Sequence, residues 1–228
     1  MKGKNGAYEY KWSTSPFFLQ LVPHYARTLL LLSPTDLCAF NLKHTEIRII
    51  GDTPLIVHAW SEKIKKEMLD RQMKKAKNAK GAKNPEEEYL ASFYRLPDGT
   101  YGFPAIGFKA AAVSAGGRFA EGMKMTELRG SFFVLGEEGS DLVPIEGEPS
   151  MREDTVKVGM GVADIRYRPE FRAWATTIRV RFNADKISLE QLVNLFNLAG
   201  FGVGVGEWRP ERDGQFGCFH VEVNAPQG

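Results

Sequence analysis

Between Gly200 and Gly217 the chain reads GFGVGVGEWRPERDGQFG, which puts six glycines, one tryptophan and two arginines into 18 consecutive residues. Glycines allow backbone amides to come close to an anion, an aromatic ring offers a stacking face, and guanidinium groups pair with phosphate. A dinucleotide loop would need G-x-G-x-x-G between a strand and a helix, whereas these glycines follow a helix pattern and precede a strand pattern. A Walker-type phosphate loop would end in Gly-Lys-Ser/Thr, and that ending is absent. A third chemistry is contact with a phosphodiester chain, with Trp208 as the stacking surface and Arg209 and Arg212 on phosphates. The competing reading is a long hairpin turn whose glycines serve only its own tight geometry.

Other cationic groups have paired readings of the same kind. From Glu62 to Lys83 nine Lys or Arg face three acidic residues, a local excess of +6 in a chain whose net charge is only +2. The run that contains Lys74, Lys75 and Lys77 is either a solvated loop or a phosphate contact. Arg152, Arg166 and Arg168 accompany Tyr167 in an alternating stretch. They fit either strand binding or a cross-strand ion-pair ladder with Glu153, Asp154 and Asp164. Arg179 and Arg181 alternate with apolar residues and face solvent or ligand.

Catalytic signatures are thin. His58 and His220 read as packed or partly exposed sheet residues rather than general bases, and no Ser/His/Asp or Cys/His arrangement occurs. Cys38 and Cys218 stand alone without CxxC or Cys/His spacing, which argues against zinc and against a disulfide framework. No metal or other cofactor is expected. PFFLQLV and TLLLLS are interrupted by Pro23, His24 and Arg27, short of the roughly 18 apolar residues of a membrane helix. A soluble, cytoplasmic protein is expected.

The elements that must position these residues are read from periodicity. Residues 1–43 lack a clean pattern and form an extension of unassigned role. Thr45–Trp60 predicts a strand with a bend at Gly-Asp-Thr-Pro; Ser61 caps a charged piece that ends at the breaker Asn84-Pro85, its first half, with Ile64, Met68 and Met73, a helix and Lys74–Lys83 a basic loop. A small-residue helix runs from near Gly107 to Gly116-Gly117. Two short strands joined by Glu-Glu-Gly-Ser follow, then an extended hairpin arm over 148–172 around Met160. In TTIRVRF, Ile178, Val180 and Phe182 share one face. Ser188 and Gln191 form a capping box, with Leu189, Leu192, Val193 and Phe196 on one helix face and Gly200 as the stop. Phe216–Val223 predicts the last strand. The order fits an α+β fold, a single ferredoxin-like (RRM-like) antiparallel domain over 44–224 with helices on one face, a basic insertion at 61–97 and the arm.

A helix, a glycine-rich loop and a final strand resemble the C-terminal signature of the repeat-associated mysterious protein (RAMP) superfamily of CRISPR effector complexes. GFPAIGFKAAAVSAGG resembles an element of its backbone subunits, MREDTVKVGMGVADIRYRPEF sits where they carry a thumb hairpin, and the GEWRPE loop is similar to that of a group of tailed-phage proteins. The resemblance spans roughly residues 45–224, although this chain is shorter and its arm more compact. It implies a protein that binds single-stranded RNA or DNA along a basic groove, with copies stacked side by side. Gly204, Gly206, Trp208 and Arg209 would line the groove, Lys109 would touch phosphate and Met160 would wedge between bases. It also implies phage recombination or host-defence proteins as partners. A metal-independent endoribonuclease of the same fold, for which the resemblance to RNA-cutting members that use a His or an Asp in loops implies Asp52, His58 and Asp70 as candidates, and a phage factor that mimics a CRISPR subunit by protein binding are the alternatives.

Overall fold

The computed structural model describes residues 41–74, 83–120, 122–158 and 162–222. The chain divides into Met1–Phe40 and Asn41–Gly228, and the fold is that of the second unit. In chain order its elements are β1 (Leu42–Gly51), β2 (Leu55–Ile56), α1 (Glu62–Gln72), α2 (Pro85–Ala91), β3 (Tyr94–Arg95), β4 (Tyr101–Pro104), α3 (Ala105–Phe119), α4 (Met125–Ser131) and β5 (Phe132–Leu135). They continue with β6 (Leu142–Pro144), β7 (Pro149–Val158), β8 (Val162–Phe171), β9 (Ala175–Asn183), α5 (Leu189–Gly202) and β10 (Phe219–Val221). Because Leu42 is already in register with Asn183, the domain begins two residues before the expected boundary at 44.

The main sheet has the strand order β10-β1-β9-β5 with every pair antiparallel. With α3 between the first two of these strands in sequence and α5 between the last two, the order is fourth, first, third, second, the ferredoxin-like arrangement. The alternation read in β9 holds: Ile178 and Val180 are fully buried, Phe182 nearly so, and Arg181 is exposed. The capping box forms as expected, with Gln191 N donating to Ser188 Oγ at 3.1 Å and Ser188 N to Gln191 Oε1 at 3.0 Å. Two three-stranded sheets, β2-β8-β7 and β3-β4-β6, flank the main one. The expected bend after β1 therefore hands the chain from the main sheet to the sheet of the arm. No helix among the described residues is long and apolar enough to cross a membrane.

Several boundaries differ from the sequence expectation. Gly116 and Gly117 lie inside α3 rather than at its end, because α4 packs onto them. A Cβ on Gly116 would lie 2.2 Å from Leu128 Cδ1, and one on Gly117 2.3 Å from Met125 Cγ. Asn84-Pro85 starts α2 instead of merely ending the charged piece: Asn84 Oδ1 accepts from Glu86 N, proline occupies the first turn, and Glu86, Glu87 and Glu88 face the helix's positive end. The strands β5 and β6 do not pair with each other, since β5 joins β9 and β6 joins β4. Gly200 is buried within α5, which runs to Gly202. The described part of the last strand is shorter than predicted, and Val223 lies outside the described residues.

The contact at Gly200 fixes how α5 sits on β10, because a Cβ there would stand 1.8 Å from Phe219 O. Gly200→Ala should cost roughly 2–3 kcal/mol by overpacking. Gly130→Ala, at an exposed helical site with nothing within 4 Å of the new Cβ, should gain about 0.5 kcal/mol. Urea unfolding midpoints of the two variants check both signs.

Candidate functional site

The loop between α5 and β10 is stitched along the chain next to β2. Glu207 N donates to Ile56 O at 2.9 Å and Gly217 N to Pro54 O at 2.8 Å, while Val205 N bonds Gly217 O and Phe216 N bonds Trp208 O across the loop. At this spacing side chains are excluded. A Cβ would fall 2.5 Å from Ile56 O at Gly206, 1.7 Å from Trp208 O at Gly214 and 1.8 Å from Val205 O at Gly217. Gly204, at φ +70°, donates its amide to Ala199 O and so caps α5 rather than offering that amide outward. The glycines thus serve the loop's own geometry.

One consequence is a tryptophan in an unusual place. Trp208 has φ +53°, the left-handed region, which costs a residue with a Cβ about 1 kcal/mol or more. It keeps 41% of its surface exposed. Beside it Glu211 gathers the neighbouring groups. It accepts from Ser114 Oγ at 2.9 Å and Arg118 Nη2 at 3.2 Å on α3, and from Arg209 Nε at 3.2 Å and Nη2 at 3.0 Å, while Arg209 Nη1 reaches Gly206 O. Burial, the largest single effect, pushes the carboxyl of Glu211 up, but these bonds and the arginine charges together outweigh it and draw the group below its ordinary range.

The arm supplies the opposite wall. Arg152 bonds Asp154 and Glu170 at 2.8 Å each and lies over the Phe216 ring of the glycine loop, 4.6 Å from its centroid. Arg168, whose side chain is only 5% exposed, stands 3.6 Å from Asp154, and its Nε has no hydrogen-bond partner. Arg166 lies 4.0 Å from Asp164 and 3.5 Å from His58 Nε2. The ion-pair ladder is therefore real for Arg152 and Arg168. The two walls meet around a cavity of about 450 Å³ lined by Val156, Arg168, Glu207, Trp208, Arg209 and Arg212. An adjoining cleft of about 220 Å³ is lined by His58, Tyr94, Gly107, Ala110, Glu207 and Glu211 among others.

The remaining candidates lie elsewhere. On α3, Gly107 and Ala110 line the cleft, and Lys109, about 200° round the helix from Gly107, instead donates to Arg129 O at 2.9 Å and sits 3.9 Å over the Phe133 ring. Arg181 approaches the same ring at 5.6 Å, and Arg179 bonds Gly136 O and Glu137. The three thus belong to the β5 edge of the main sheet, because Arg179 and Arg181 pair in register with Leu135 and Phe133. They do not join the loop. Lys74 is exposed at the end of α1 with φ +55°; Lys75, Lys77 and Met160 lie outside the described residues. Asp52 pairs with His220 Nδ1 at 2.6 Å, both about half exposed, and Asp70 lies on α1. Among the described residues no three His, Cys, Asp or Glu side chains are placed to hold a metal ion, and Cys218 is a free thiol. Sequence reasoning passed over Glu207 and Glu211, which flank Trp208 and Arg209 in the same GEWRPE stretch.

No protein-family model matches the chain, and no curated protein does. Among solved structures it is similar to the crystal structure of Cmr6 from Pyrococcus furiosus, with 11% identity over 81% of this chain and 100% of that one and a TM-score of 0.41. It is also similar to a chain in the cryo-EM structure of the Type III-B Cmr-beta bound to cognate target RNA, with 9% identity over 80% of this chain and 60% of that one and a TM-score of 0.45.

Two electrostatic outcomes follow from the geometry. Removing Asp154 leaves buried Arg168 without its ion-pair partner while Glu207 remains nearby, so Asp154→Ala should lose about 3 kcal/mol in denaturant unfolding, and Asp154→Leu combined with Arg168→Met should recover most of it. His58 is held below its ordinary pKa first by burial and then by Arg168 and Arg166, with Glu207 opposing. The unfolded chain then takes up a proton near pH 6.5 that the folded chain refuses. Its contribution to stability is present above that pH and is lost as pH falls through it. In thermal melts from pH 8 to pH 5, His58→Gln should flatten the decline between about pH 7 and pH 5.

Proposed function

We propose that this chain binds single-stranded nucleic acid, and that the strand runs between the arm and the glycine-rich loop. The observation that supports this reading is one cavity whose loop wall carries an exposed, backbone-strained Trp208 beside Arg209 and Arg212, with Arg168 on the arm wall. An unpaired polynucleotide presents flat bases and anionic phosphates in alternation, and a ring flanked by guanidinium groups complements both at once. In a duplex the bases are stacked inside, so the ring would have no face to meet. Strain retained at an exposed aromatic is the pattern of a residue kept for binding rather than for stability. On this reading the protein holds the strand without cutting it.

Trp208→Gly separates the two roles, because glycine accepts φ +53° freely. The variant should melt no lower than the parent and yet bind a labelled single strand roughly 5- to 150-fold more weakly, as loss of one stacked base implies. With three arginines on phosphates, parent affinity should fall roughly twentyfold from 50 to 200 mM salt. Fluorescence anisotropy in EDTA reads both, and RNA recovered from the mixture should be intact. No binding at 50 mM salt, or unchanged affinity in Trp208→Gly, would overturn the reading.

A further inference from the structure

Two charged groups that line the 450 Å³ cavity, Glu207 and Arg212, make no hydrogen bond or ion pair among the described residues. The half-buried Glu207 carboxylate lies close enough to Arg168, His58 and Tyr94 to shift their protonation. Nε of Arg168 is buried and without a partner. Every other acidic group around the cavity is engaged: Asp154 by Arg152 and Arg168, Glu170 by Arg152 and Arg172, and Glu211 by Arg118 and Arg209. A partly desolvated carboxylate without a partner is costly unless a ligand completes it.

From this we propose that the cavity selects guanine. The inference rests on the single-strand reading and adds base identity to it. The ligand has to donate to Glu207, accept from arginine, and lie flat on Trp208. Phosphate supplies acceptors only and would be repelled by the carboxylate. Uracil offers one N–H between two carbonyls, so the second carboxylate oxygen would face another acceptor. Adenine and cytosine place a ring acceptor next to their amino donor. Guanine alone presents N1–H and the 2-amino group side by side for both carboxylate oxygens, with O6 and N7 left for a guanidinium. A volume of 450 Å³ lies within the range of about 300–1,000 Å³ typical of small-ligand sites.

The test is anisotropy with labelled 12-nucleotide strands: uridine only, uridine with three isolated guanosines, and the same strand with inosine replacing guanosine, which deletes the 2-amino group. The guanosine strand should bind about tenfold more tightly than uridine alone, and inosine should forfeit most of that gain. Glu207→Gln should abolish the preference and leave uridine-strand affinity equal or higher, because one negative charge is gone. Equal affinity for all three strands, or a preference that survives in Glu207→Gln, overturns guanine selection while strand binding stands. Failure of every strand to bind overturns the single-strand reading and this inference with it.

Discussion

The backbone contact between the glycine-rich loop and the chain at Pro54–Ile56 is the constraint on which the site depends. Two hydrogen bonds, from Glu207 N and Gly217 N, hold the loop against the segment where the chain leaves the main sheet for the arm. Contact at that distance forbids a Cβ at Gly206, and the fold-back of the loop on itself forbids one at Gly214 and Gly217. Trp208, set between these points, takes the left-handed conformation that the closure imposes. Because β2 pairs with β8, the same contact brings the loop to the arm. The cavity is thus a product of backbone geometry first and of side-chain chemistry second.

Charge at the cavity is ordered by partnering rather than by abundance. With a formal net charge of +2, the chain has no global field strong enough to gather an anion from a distance. Most arginines of the arm are committed to carboxylates on their own sheet, and buried pairs of this kind do little for stability compared with apolar packing. They do keep guanidinium groups in a low-dielectric wall at fixed positions. Arg168 illustrates the balance: burial lowers its pKa, and Glu207 and Asp154 oppose that shift, so the group remains charged in a site that water reaches poorly.

What the sequence disclosed and what it hid divide along the range of the interactions. Period-two alternation located β9, and the Ser188–Gln191 spacing located the start of α5, because both are local patterns. The signals for α2 were equally local, an asparagine cap, a first-turn proline and three glutamates, but Pro85 was weighed only as a breaker. Gly116, Gly117 and Gly200 were read as helix ends since glycine is common there; each is instead a close approach to an element distant in sequence, which no local pattern encodes. The same limit applied to Lys109. Its residue type suited phosphate, yet helical rotation turns it to the β5 edge with Arg181. The loop was legible as a candidate from composition, while the reason for Gly206 lay in β2, about 150 residues earlier in the chain, and that for Gly214 and Gly217 in the loop's own fold-back.

Stability and function pull in different directions at this loop. A chain selected only to fold would place glycine or asparagine at position 208 and pair or remove the carboxylate at 207, since both changes relieve a cost without disturbing the bonds made by the backbone. The neighbouring positions show that relief is available. Gly204, Gly206 and Gly217 meet positive φ with the residue best suited to it, and Glu211 next along the chain is fully engaged. Backbone strain at Trp208 and an unpaired carboxylate at Glu207 therefore fall on adjacent residues that line one cavity. That adjacency is the physical argument for a ligand that stacks on the ring and bonds the carboxylate together, because only a group meeting both in one plane would remove the two costs at once.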